Sequence, residues 1–320
     1  ARMLVLLLLG ALHGSLLWPG DILLLFAVAG LLFWWARHLD ADQLFLGGVL
    51  LLALQLAITL SFGFEAGAAE ARALAAGASA EQIAAWDNLR SMLWSNAADM
   101  ADETARMTGS LAEILAVRHQ ALLYSRLFLL PFHILAETGG LMLIGMALYR
   151  LHWWRGDFEA GHYRRLAAML VPAGLLLGAF LCWRFLSSGF SVVGYFYADA
   201  ARLLVAPLLA TGYAALVILL VKGGHARRTV ARLAACGRMA LSNYVAASLL
   251  GNLVFTGIGF GLYGRLDRWQ VLLLVALIWA LQLWWSRFWL RRYRYGPLEW
   301  LWRSLARARA QPWQPPAYTG

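Results

Sequence analysis

Two apolar runs, MLVLLLLGALHGSLLW from Met3 to Trp18 and ILLLFAVAGLLFWW from Ile22 to Trp35, meet at the corner Pro19-Gly20-Asp21. Each is near the length that crosses a hydrocarbon core, and the corner carries turn chemistry. The pattern therefore predicts a helical hairpin whose tip lies at a membrane surface. The one ionisable group inside the first run is His13. Trp18 suits the interface, and Asp21 falls just outside the hydrocarbon. The hairpin thus holds a polar pair at one mouth of a bundle, and that mouth is the first place to look for function.

The rest of the chain extends the same constraint. With 62% hydrophobic residues and 16 Trp in 320 residues, it is too apolar for a soluble domain of this size. Long unbroken apolar runs favour helices over the alternating strands of an outer-membrane barrel, because a helix satisfies its own backbone groups in lipid. We expect an all-α, polytopic membrane protein forming a single helical domain. Its eight candidate spans run roughly from 3 to 18, 22 to 36, 44 to 64, 121 to 149, 166 to 183, 200 to 221, 239 to 257 and 270 to 288. Ala1 is not an initiator Met and the first helix begins at once, so native sequence is expected ahead of it.

Lys and Arg set the orientation. With both termini cytoplasmic, 18 of the 27 basic residues fall inside and eight outside, counting Arg287 and Arg202 at their span ends with the nearer face, and Arg126 lies within a span. The reverse violates the positive-inside rule, so the hairpin tip is placed outside. The net charge of +10 then needs no nucleic-acid partner, because cytoplasmic loops and anionic membrane lipid account for it.

The longest hydrophilic stretch, Glu65 to Gln120, carries eight acidic residues and four Arg. Ala-rich and punctuated by Trp86 and Trp94, it reads as an external amphipathic helical insert capping the outer mouth, or as a plain spacer. The segment SSGFSVVGYFYAD, Ser187 to Asp199, alternates small and aromatic residues. It suits either a lipid or acyl entrance or an aromatic belt. The tail from Gly296 to 320 sets Trp300 and Trp302 beside several Arg, the pattern of an interfacial cytoplasmic helix with a Pro-rich end. Cys182 and Cys236 fall on opposite membrane faces in this topology, which excludes an intrachain disulfide.

Polar chemistry concentrates on the fourth span. Arg126, His133 and Glu137 are seven and four residues apart, which at ~100° per residue places them within a sector of roughly 40°. Such a face must turn toward protein or water, and its charges require partners. Ser248, Asn252 and Thr256 make a second stripe on the seventh span, read either as interhelical hydrogen bonding or as ligand contact. His13 is either a hydrogen-bonded structural histidine or a general base oriented by Asp21 or Glu137. Asp21 is equally suited to cap the second helix. His133 and Glu137 have a metal-ligand spacing, but no Cys or His cluster joins them and no metal is expected. P-loop, GxSxG and HExxH motifs are absent.

LLGALHGSLLWPGDILLLFAVAG, GLMLIGMALYR, SVVGYFY, GRMALSNY and GPLEWLWRSL occur here in the order found in YeiB-like bacterial membrane proteins, a domain-of-unknown-function family that the chain resembles over nearly its whole length apart from residues 65–120. Members are similar to the transmembrane acyltransferases that include heparan-alpha-glucosaminide N-acetyltransferase, and they usually begin with two further helices. The resemblance implies a multi-pass protein of the bacterial inner membrane that moves an acyl group from acyl-CoA to an extracytoplasmic hydroxyl or amine. In that reading acyl-CoA is the donor and no resident cofactor is implied. His13, Asp21 and Glu137 are the catalytic candidates, and Arg126, His133 and Asn252 the substrate-binding ones. Two other classes stand beside it: a transporter working through the Arg126, His133 and Glu137 face, and a structural or regulatory membrane protein that docks through its acidic insert.

Overall fold

A computed structural model describes residues 1–124, 135–224 and 226–314. Among the described residues the chain is helical with no strand. In chain order the helices are α1 (Arg2–Leu16), α2 (Leu23–Leu32), α3 (Ala41–Ala73), α4 (Ala80–Leu93), α5 (Ala97–Met107), α6 (Leu111–Tyr124), α7 (Leu135–Arg150), α8 (Ala160–Ser187), α9 (Val192–Gly223), α10 (Arg227–Arg238), α11 (Ala240–Phe255), α12 (Arg268–Trp289) and α13 (Pro297–Ala306). They divide between two compact units where the sequence suggested one domain. The first unit comprises Ala1–Leu32, Met100–Phe128 and Ala226–Gly320, and the second Phe33–Asp99 and Leu129–His225.

In the first unit, α1 packs against α2, α6 and α13, and α10 packs against α12. The α1–α2 hairpin closes at backbone contact. A Cβ on Gly10 would lie 2.3 Å from the Leu24 amide nitrogen and 2.8 Å from Asp21 Oδ2, so only glycine fits there. Helix α13 is stitched in by buried Glu299, whose carboxylate accepts the Ser242 amide at 3.0 Å and the Ser242 hydroxyl at 2.5 Å in the first turn of α11. Donors at a helix start want an acceptor, and here a carboxylate from another helix supplies it. One turn of the same network belongs to Asn243, which donates to Ser286 Oγ and accepts from Trp285 Nε1 on α12.

In the second unit, α8 packs along α9, and α3 packs against α4, α7 and α9. Helix α3 starts on a capping box. Asp40 Oδ1 accepts the Gln43 amide at 2.8 Å while Gln43 Oε1 accepts the Asp40 amide at 3.1 Å. Helix α4 repeats the arrangement with Ser79 and Gln82 and lays Trp86 against Ala66 and Val192. The α3–α7 crossing is again set by glycines, because a Cβ on Gly48 would stand 2.7 Å from the Gly140 carbonyl oxygen. Gly48→Leu is expected to separate these helices and to lower the thermal midpoint of the detergent-solubilised protein by several degrees, measurable by tryptophan fluorescence, because overpacking costs about 1–3 kcal/mol.

Four described helices are long and apolar enough to cross a membrane: α3, α8, α9 and α12. Helices α1, α2 and α11 are apolar but shorter. At ~1.5 Å per residue the 15 residues of α1 reach roughly 22 Å, short of a ~30 Å core. Large apolar side chains such as Leu272, Leu277, Trp279 and Trp284 on α12 stay uncovered by protein. That surface is what lipid-facing helices present, and it fits a membrane protein.

Three expected segments end differently. The span placed at 22–36 stops at Leu32, and a 3-10 turn from Trp34 to His38 leads to the Asp40 cap, which starts a new helix. The span placed at 121–149 is represented by α6, ending at Tyr124, and α7, starting at Leu135; Arg126, Pro131 and His133 lie outside the described residues. Residues 65–120 are helical but not one insert. Helix α3 continues to Ala73, α4 packs on α3, and α6 packs on α1 through the stripe Ile114, Arg118 and Leu122. Residues four apart share a helix face, so an acidic segment still offers one buried side.

Candidate active site

The hairpin and α11 bring three side chains of the first unit into a line. His13 Nδ1 lies 2.8 Å from Asp21 Oδ1, and His13 Nε2 lies 2.9 Å from Ser248 Oγ. His13 is 4% exposed. Asp21 collects donors on both oxygens. The Leu24 amide donates to Oδ2 at 2.8 Å, so Asp21 caps α2 as well as holding His13. The Tyr244 hydroxyl accepts the Ile22 amide at 3.3 Å and donates to Oδ1 at 3.3 Å, and its ring sits 4.8 Å from the imidazole. An ionised carboxylate only accepts, so the Nδ1 proton points to Asp21 and Nε2 is left to accept from the Ser248 hydroxyl.

Ser248 opens onto a cavity of about 680 Å3 whose wall includes Trp18, Pro19, Arg118, Tyr244, Asn252 and Tyr263. His13 is not part of that wall, so its Nε2 reaches the cavity through Ser248 Oγ. One turn along α11, Asn252 Nδ2 donates to the Leu17 carbonyl at 3.1 Å and to the Ser248 carbonyl at 2.7 Å, while its Oδ1 accepts from Arg118 Nη2. Arg118 Nη1 donates to the Leu16 carbonyl at 2.5 Å. The loop after α11 closes one side. The Gly257 amide donates to the Met107 carbonyl at 3.0 Å, and a Cβ there would overlap the Thr108 oxygen. Tyr263 donates to Glu103 at 2.7 Å, and burial first, then that carboxylate, pushes its phenol up to about 12.

Glu137 sits in the second unit. Arg202 holds both its oxygens, Nη1 to Oε1 at 2.8 Å and Nη2 to Oε2 at 2.9 Å, and Arg202 Nε also meets Asp199 at 2.8 Å. The orienter of His13 is therefore Asp21, and the carboxylate of Glu137 serves a forked ion pair between α7 and α9. Its proposed neighbours Arg126 and His133 lie outside the described residues.

Residues 148–309 match a family described as a protein of unknown function, DUF418. The chain is 33% identical over 322 residues to the uncharacterized protein YeiB of Escherichia coli (strain K12), covering 98% of this chain and 76% of that one. It belongs to the YeiB-like DUF418 family. A second relative, the uncharacterized protein YxaH of Bacillus subtilis (strain 168), is 28% identical over 98% of this chain and 72% of its own length. No solved structure matches. The DUF418 match takes in Tyr244, Ser248 and Asn252, whereas His13, Asp21 and Arg118 lie ahead of it.

Sequence reasoning picked His13, Asp21 and Asn252 and missed two members of this cluster. Tyr244 lies inside the quoted segment GRMALSNY, one turn before Ser248, so the stripe Ser248-Asn252-Thr256 extends backward by the same step. Arg118 was hidden in a stretch read as an external amphipathic cap or a plain spacer. Its signal is the apolar residue four positions away on each side, Ile114 and Leu122.

Proposed function

We propose that this protein is a multi-pass acyltransferase of the bacterial inner membrane, which carries an acyl group from acyl-CoA to an extracytoplasmic hydroxyl or amine by way of an ester on Ser248. The observation behind this reading is the hydrogen-bonded series Ser248, His13, Asp21, with Ser248 alone of the three on the cavity wall. That is the arrangement of a nucleophile, a base and the group that orients the base.

In the first half-reaction His13 Nε2 takes the hydroxyl proton as Ser248 Oγ attacks the thioester carbonyl. The carbon–sulfur bond breaks and the departing thiolate receives that proton. In the second, the acceptor's hydroxyl or amine gives its proton to Nε2 and attacks the ester. Oγ leaves and recovers the proton. Asp21 keeps Nδ1 protonated throughout and stabilises the transient imidazolium. Labelling the purified protein with radioactive acyl-CoA without acceptor should leave hydroxylamine-sensitive label on the wild type and none on Ser248→Ala. Equal label on both would overturn the reading.

The topology proposed with it has eight crossings, both termini and residues 222–238 cytoplasmic, and Pro19 outside, on the 18-to-eight basic asymmetry. A donor then approaches from the cytoplasm and an acceptor from the opposite face. Arg228→Cys on a cysteine-free background should resist an impermeant maleimide in intact spheroplasts and react after lysis. Reaction before lysis inverts the orientation.

A further inference from the structure

Arg118 is 4% exposed, yet the partners of its guanidinium are two neutral oxygens, the Leu16 carbonyl and Asn252 Oδ1. Among the described residues no carboxylate lies within ion-pair distance of it. Arginine keeps its charge, and a buried charge without a counter-ion is costly, so the arrangement stays one negative charge short. Glu103, the carboxylate on the same cavity wall, is exposed and engaged by the Tyr263 hydroxyl.

The space in front of Arg118 is largely hydrocarbon-lined. Val117, Ala121, Ala247, Phe255, Leu266 and Val271 line it. A free anion would satisfy the guanidinium and leave this wall facing water, whereas a neutral lipid would fill the wall and leave the charge alone. At about 680 Å3 the cavity lies within the range of small-molecule sites. We infer that the cavity binds an acidic headgroup carried on an acyl chain, a phosphate or carboxylate amphiphile, with Arg118 as the counter-ion held in place by Asn252 and the chain lying along α11. The guanidinium fork suits such a headgroup bidentately. The inference concerns binding alone and holds whether or not Ser248 carries an acyl group.

The test uses dodecyl phosphate as the probe on the full chain in a neutral maltoside detergent, with binding counted by native mass spectrometry and by the shift of the unfolding midpoint. Saturable binding of one equivalent is expected. Arg118→Gln should weaken it roughly tenfold or more, and Arg118→Lys, which keeps the charge and loses the fork, should fall between. Should Arg118→Gln not fold, Ala247→Phe decides the question, because it fills the cavity and leaves both Arg118 hydrogen bonds intact; it too should abolish binding. Unchanged affinity in Arg118→Gln or in Ala247→Phe would overturn the site. Inorganic phosphate binding as tightly as dodecyl phosphate would overturn the amphiphile and identify a free-anion site. An acyl-transfer assay that fails for the wild type leaves these readings unaffected.

Discussion

Alanine at His13 is expected to lower acyl transfer by about 10²-fold or more per folded molecule, the contribution of a positioned base. Gln at the same place can keep one hydrogen bond to Asp21 or Ser248 but cannot cycle a proton at neutral pH, so it should be as inactive as Ala. The two differ in stability. Ala leaves Asp21 Oδ1 and Ser248 Oγ without the ring, at about 1–3 kcal/mol for each buried group stranded, and Gln restores part of that. Turnover is therefore normalised to the monodisperse fraction from size exclusion. A purely structural histidine gives the opposite pattern: activity that follows the folded fraction, partly rescued by Gln. Asp21→Asn sharpens the comparison, because an amide can stabilise the wrong imidazole tautomer and so disable Nε2 as a base.

The second large effect belongs to the ion pair of the other unit. Glu137→Ala should destabilise the protein by about 2–3 kcal/mol, because Arg202 lies within a helix that is apolar enough to span the membrane and would lose its forked partner. Asp199 remains on Arg202 Nε and keeps the loss below that of a wholly isolated charge. Removing both charges together, Glu137→Ala with Arg202→Ala, should cost less than the sum of the single changes. A thermal-midpoint cycle measures this coupling directly. Additive losses would mean the pair is energetically idle.

What could be read in advance follows from how far apart in the chain the partners lie. His13 and Asp21 flank a Pro-Gly turn, and a turn of known chemistry places both at one mouth without knowledge of any other helix. Ser248 follows His13 by 235 residues, so its pairing depends on helix packing that periodicity does not encode. The need for a partner to Glu137 was legible from the cost of charge in lipid, but Arg202 was one of several cations that might have met it. Arg118 was not singled out because average composition over residues 65–120 is polar, while burial is decided by one face of α6. The reach of individual helices was hard to read for a related reason. Apolar composition locates helices such as α1, α2 and α11, but length decides whether one helix crosses, and a cap such as Asp40 sets where a helix starts.

The separation of the three residues has a consequence for biogenesis. The Asp21–His13 half is complete once the first hairpin has left the ribosome and closed at Gly10. The hydroxyl it would activate is synthesised more than 200 residues later. On the proposed mechanism the growing chain holds an imidazole with no hydroxyl to deprotonate, and reactivity toward thioesters is expected only once α11 docks against the hairpin. A nascent or prematurely terminated polypeptide is then expected to take no label from an acyl donor. The appearance of labelled ester in ribosome-bound chains of increasing length would date that docking step.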